Sequence, residues 1–237
     1  MLHIRMYQLF ARTEIRLLKS EFVGYIMKTE TPAGGLQMQK DYYAAAEHRR
    51  SYYSITKDSP IPNSRIVEIV QFAVKHAPSS YNSQSGRAVV LLGKEHDALW
   101  TIVLDTLRPL VPEGGFAKTE AKVKGFAAGH GTVLFFEDQA VVERLQRDNP
   151  LYQDNFPPWS LQSSGMLQHI VWTALELEGL GASLQHYNPL IDSAVKARWG
   201  TPESWRLISQ MPFGTPSAQP GEKEFLPVEE RVWVVGG

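Results

Sequence analysis

Two short strand candidates, the apolar run at residues 88–92 closed by Gly93 and residues 132–136, in which Thr132 leads four apolar residues closed by Glu137-Asp138, restrict this chain more than any other feature. A run of that length without polar alternation, stopped by glycine or charge, fits a strand buried on both faces. Such strands need helices laid over them, and helical spacing surrounds both. Ile66, Ile69, Val70, Ala73, Val74 and Ala77 recur at helical intervals after the start signal Pro62-Asn63, and Pro78 ends the series. Leu99, Ile102, Val103 and Leu107 mark the next helix, and residues 116–126 a further one after a loop at 109–115.

The longest helix is expected over about residues 158–178, with Leu161, Leu167, Ile170, Val171, Ala174 and Leu175 forming a wide apolar stripe. Residues 42–47 favour a helix that ends near His48-Arg49-Arg50-Ser51. Gly179 and Gly181 bracket a turn into a short strand at 182–185, residues 190–199 form a helix stopped by Gly200, and 206–211 and 228–235 are the last strands expected. Helices outnumber strands too strongly for a simple βαβ repeat. The pattern describes one α+β domain over residues 38–237, its sheet largely covered by helices.

Residues 1–37 stand apart. They mix Arg5, Arg12, Arg16 and Lys19 with Glu14, Glu21 and Glu30 and lack the apolar centre of a signal peptide, and Thr31-Pro32-Ala33-Gly34-Gly35 resembles a linker. A disordered extension and a helical arm are both open readings, with a transit peptide disfavoured by the acids. With 24 Lys+Arg against 25 Asp+Glu there is no cationic field of the kind that attracts nucleic acid or acidic membranes, and no apolar run has the length of a membrane span. The absence of cysteine excludes thiolate metal sites and a cysteine nucleophile, and suits a reducing, cytoplasmic setting.

Several chemistries lack their patterns: there is no G-x-G-x-x-G after a strand, no G-x-S-x-G elbow and no H-E-x-x-H. Gly114-Gly115-Phe116-Ala117-Lys118-Thr119 imitates a phosphate loop but has alanine where glycine is required. Three polar clusters remain. Arg49, Arg50 and Ser51 offer a guanidinium fork for phosphate or for the edge of a flavin pyrimidine ring, although a solvated basic helix end explains them equally well. Pro78-Ser79-Ser80-Tyr81-Asn82-Ser83-Gln84 places a dense set of hydroxyls and amides between two apolar elements, which favours ligand contact over a plain polar loop. Lys223, in a proline-bounded loop, carries little weight alone.

In this order and spacing the clusters resemble the nitroreductase family from about Met38 onward. Arg49-Arg50-Ser51 is similar to its arginine–serine motif, and residues 78–84 to its P-S-S-x-N-S-Q loop. Tyr52-Tyr53, the run from Gly129 to Asp138 and Gly221-Glu222-Lys223-Glu224-Phe225 further resemble the subgroup named for the fungal fatty-acid-repression mutant protein. The resemblance implies a homodimer with a central, mostly antiparallel sheet, and an FMN cofactor that carries the redox chemistry, so that no side chain serves as a nucleophile. It implies FMN contacts from Arg49, Arg50, Ser51, Pro78, Ser79, Ser80, Asn82 and Gln84, with the 78–84 loop reaching the flavin of the neighbouring subunit. Lys223 is placed near the phosphate, Lys124 as a further contact, and Leu184, Gln185 and His186 beside the reactive edge of the ring. Two positions depart from the family: Arg87 follows Gly86 where a Pro-Trp pair is common, and Phe225 replaces a basic residue. The activity implied is transfer of electrons from NAD(P)H to a nitroaromatic or quinone by ping-pong kinetics. A redox-sensing or regulatory flavoprotein with incidental reductase activity is the alternative.

Overall fold

Strand periodicity divides the core. In the computed structural model, which describes residues 42–236, the 132–136 run lies in the strand Gly131–Asp138, and its successive side chains point to opposite faces. Val133 and Phe135 enter one apolar cluster and Leu134 and Phe136 another. All four are essentially inaccessible to solvent, so each contributes roughly 1.5–3 kcal/mol of burial. The expectations for residues 1–37 lie outside the described residues.

The elements in chain order are α1 (Tyr42–His48), β1 (Ile55–Thr56), α2 (Asn63–His76), β2 (Gly86–Leu92), α3 (Lys94–Leu107), α4 (Glu113–Ala127), β3 (Gly131–Asp138), α5 (Gln139–Asp148), α6 (Phe156–Leu177), β4 (Gly181–Ala182), α7 (Asp192–Trp199) and β5 (Trp205–Pro216). The sheet order is β1-β5-β3-β2, with β4 also on β5, and every strand pair is antiparallel. A bulge between Phe135 and Phe136 shifts the β3–β5 register. Helices α2 and α6 supply Ile66, Ile69, Val70, Ala73, Leu167, Val171 and Leu175 to one face. Helices α3 and α4 cover the other with Leu99, Trp100, Val103, Val123 and Phe126. The expected α+β class and helix-covered sheet are both present.

A buried histidine joins α3 to the sheet. His96 Nε2 lies 3.2 Å from the Ala127 carbonyl, which can only accept, so Nε2 carries the proton. Nδ1 then accepts from the Thr132 hydroxyl at 2.9 Å, while Trp100 Nε1 donates to that hydroxyl at 3.1 Å. Burial lowers the His96 pKa, which agrees with this neutral tautomer.

Three sequence expectations need correction. Residues 228–235 form no strand: a short 3-10 turn, Val228–Glu230, leads into an exposed extended segment, with Trp233 84% exposed. Their β-branched and aromatic side chains suit a half-buried pleated surface, but this segment pairs with no strand of the sheet. The loop expected at 109–115 is shorter, because α4 begins at Glu113, and the phosphate-loop imitation lies inside that helix. Helix α5 was unforeseen. Asp138 both ends β3 and caps α5, its carboxylate accepting from Ala140 N at 3.2 Å, so acids that read as a strand end also start a helix.

Candidate active site

Helix α1 stops at His48, and the chain turns Arg49 and Arg50 toward the sheet margin. Ser51 forms a parallel bridge with Ala182 of β4, and Tyr52 N donates to the Ala182 carbonyl at 3.0 Å. Gly181 permits the close approach: a Cβ there would lie 2.7 Å from Tyr52 Cγ and 2.9 Å from Pro216 Cγ. The segment after β5 returns over the same margin, where Arg50 Nη2 donates to the Gly221 carbonyl at 2.8 Å. Arg49, Arg50, Ser51, Tyr52, Gln219 and Lys223 help to enclose a cleft of about 510 Å³, within the usual range for small-molecule sites of roughly 300–1,000 Å³. Residues about 170 positions apart in sequence thus meet at one place.

The chemistry of the cleft is cationic. Arg49, Arg50 and Lys223 face it against the single acid Glu222, a donor set suited to a phosphate monoester. The Arg49 guanidinium lies 4.4 Å above the Trp172 ring of α6, so the stack orients it while leaving its edge free to donate. Lys223 lies 4.9 Å over the Phe225 ring. Phe225, where the family often carries a second cation, therefore lies under Lys223. Volume and donor set both fit the phosphate end of a flavin mononucleotide.

The 78–84 segment lies elsewhere in the chain. It leaves the C-terminal end of α2, makes a 3-10 turn at Ser80–Asn82 and enters β2. Tyr81, Asn82 and Gln84 have φ of 57°, 49° and 49°, a left-handed conformation costing about 1–2 kcal/mol per residue for most side chains. Strain of this kind persists only where surrounding contacts enforce it. Tyr81 packs against Phe156 and Trp159 at 5.3 and 6.5 Å, and Gln84 N donates to Ser79 Oγ at 3.0 Å. Arg87 donates to the Gln84 carbonyl and is paired with Asp138 at 3.0 Å. Arg87, one of the departures from the family, therefore fastens the segment to the end of β3.

Trp172, which holds Arg49, and Trp159, which holds Tyr81, are separated by about 20 Å along α6. The remaining expected contacts are dispersed. Lys124 is engaged with Glu120 at 3.0 Å on α4 and does not line the cleft. Gln185 pairs its backbone with Gln210 and is buried, Leu184 packs against the α2–α6 core, and His186 is exposed. Trp172, Gln219 and Glu137 were not singled out beforehand. Only Glu137 carried a usable signal, since period two places it on the face of Val133 and Phe135.

Comparison with known proteins bears on this site. The Nitroreductase family model matches residues 46–215. The Saccharomyces cerevisiae proteins HBN1 and FRM2, both with nitroreductase in their names, are 37% and 35% identical, each covering 78% of this chain and 93% of its own length. The structure of nitroreductase CinD from Lactococcus lactis in complex with 4-nitrophenol is 45% identical with a TM-score of 0.75, over 83% of this chain and 100% of CinD.

Proposed function

Because the chain belongs to the nitroreductase family, and so is an oxidoreductase of that type, we propose that it is an FMN-dependent NAD(P)H oxidoreductase acting on nitroaromatic or quinone acceptors. One observation carries this reading: Arg49, Arg50, Ser51 and Lys223, distant in sequence, converge on one cleft of about 510 Å³ with phosphate-binding chemistry. FMN, when bound, supplies the hydride and electron transfer. The chain's own task is to bind and orient. Arg50 and Lys223 hold the phosphate, Arg49 is steered by Trp172, and the amides of Asn82 and Gln84 offer hydrogen bonds to the ring. The 4-nitrophenol complex of CinD supports a nitroaromatic acceptor.

A homodimer completes the reading. Trp172 and Trp159, against which the two polar clusters pack, lie about 20 Å apart along α6, a separation that favours sites shared between two subunits. Tyr42, Tyr43, Phe72, Leu161, Met166 and Leu177 of α1, α2 and α6 are 41–82% exposed, which is apolar surface of the kind subunit contacts cover. Among the described residues no helix is long and apolar enough to cross a membrane, and a cytoplasmic location is part of the proposal.

The test is the visible spectrum of the purified protein, followed by chromatography of the heat-released pigment and NADH- or NADPH-driven bleaching. FMN, bleaching and reoxidation by 4-nitrophenol are expected. FAD, or no flavin after reconstitution, refutes the cofactor assignment, whereas bound FMN that no nicotinamide reduces would favour the redox-sensing alternative.

A further inference from the structure

Glu137 has no role in the chemistry above, yet it is the least accommodated side chain among the described residues. It is 0% exposed, and neither carboxylate oxygen makes a well-formed hydrogen bond, the buried Ser85 hydroxyl alone lying near enough to favour its ionised form. It borders a cavity of about 20 Å³ whose other walls are Val74 of α2 and Ala77 just beyond it, Ser163 and Leu167 of α6, Gly86 of β2, and Pro78, Ser79 and Gln84. Those last three belong to the strained 78–84 segment. Gly86 keeps the approach open, since a Cβ there would lie 3.1 Å from Leu167 Cδ2 and 3.7 Å from Glu137 Oε1.

We infer that Glu137 is a positioning residue: the protonation state of a carboxyl sealed beneath the 78–84 segment sets the conformation of that segment and, through it, the affinity for flavin. The link to flavin rests on the FMN reading above; the link to the segment does not. A neutral carboxyl can donate to the oxygens of Ser79 or Gln84 and accept in return, whereas a carboxylate only accepts. An ionised carboxylate in this cavity, with only the Ser85 hydroxyl near enough to donate to it, is costly, and the way to relieve it is to lift the segment and admit water. The lifted segment loses the geometry that presents Asn82 and Gln84.

The charges around Glu137 leave the switch to burial. From β2, Arg87 favours ionisation but is committed to Asp138 at 3.0 Å; Asp138, next in β3, opposes ionisation. The cavity walls from α2 and α6 carry no charge, and Arg206, the register partner on β5, is exposed to solvent. Burial outweighs these and the nearby Ser85 hydroxyl, raising the carboxyl to about 7.

The experiment compares the full-length parent with E137Q, whose amide cannot titrate, from pH 5.5 to 8.5. E137L serves the same purpose if the amide disturbs packing. FMN affinity is followed by quenching of flavin fluorescence, and amide exchange of residues 79–85 is measured on flavin-free protein after correction for intrinsic rates. The FMN phosphate titrates near pH 6 in both proteins, so the difference between them is the readout. The parent should lose about tenfold in FMN affinity relative to E137Q as pH rises through 7, the effect of about one pK unit of coupling. Exchange of the segment should accelerate over the same interval in the parent only. Parallel behaviour of parent and E137Q in exchange overturns the inference. If neither protein binds FMN, the cofactor reading fails, and the exchange comparison alone decides the role of Glu137.

Discussion

Glu137 also makes a quantitative prediction about stability. A carboxyl held at about 7 in the folded chain against an ordinary 4.5 destabilises the fold by about 3 kcal/mol once ionised. Between those values the folded chain keeps a proton that the unfolded chain has released, so this contribution is favourable at low pH. It declines as pH rises from about 4.5 to about 7 and is flat above. Replacing Glu137 by Gln removes the dependence, although its amide adds a constant cost of about 1–3 kcal/mol if it too lacks a partner. The informative quantity is therefore the change with pH of the difference between the two proteins. Urea unfolding at pH 5, 6, 7 and 8, without flavin and at fixed protein concentration, should show the parent midpoint falling by about 1 M relative to E137Q, for a slope near 3 kcal/mol per molar. Midpoints that move in parallel would refute the argument and show that the carboxyl finds a partner or water in solution.

Arg50→Ala should weaken FMN binding about ten- to a hundredfold by loss of one charge-assisted bond, and should also free the Gly221 region; flavin titration and limited proteolysis near residue 221 read these separately. Asn82→Ala should retain most of the FMN but change the rate of its reduction by NADH or its potential, since the proposed role of the amide is to meet the ring and not the phosphate; stopped-flow bleaching checks this, and an unchanged rate argues against ring contact. Sedimentation should find a dimer, and a monomer that keeps its flavin would contradict the shared site.

Strand placement was legible because β3 is buried on both faces and admits little but apolar residues, and α2 and α6 because their apolar positions follow helical spacing. β2, expected to be buried, is instead an edge strand, half-buried apart from Leu91, and its apolar run reflects alternate side chains packing against both clusters from that edge. The cation cluster was legible as chemistry but not as a place: nothing near Arg50 indicates that Gly221 lies beside it. Asp138 hid α5 by serving two elements. Residues 228–235 misled for the opposite reason, since their propensity is real but they pair with no strand of the sheet. Glu137 shows a different limit. Its alternation in β3 announces burial, but whether a buried acid is paired depends on side chains from α2, α6 and β2 that only folding brings together.

The bond from Arg50 to the Gly221 carbonyl spans 171 residues, and this has a consequence for biosynthesis. Translation proceeds at roughly 5–20 residues per second, so the cation-bearing turn is made many seconds before the segment that closes over it. A nascent chain long enough to have formed α2, β2 and β3 still lacks the wall that carries Lys223. On the proposed FMN reading, cofactor capture is therefore a late event, restricted to chains whose synthesis has passed this segment, and polypeptides interrupted before it emerge without a finished cleft.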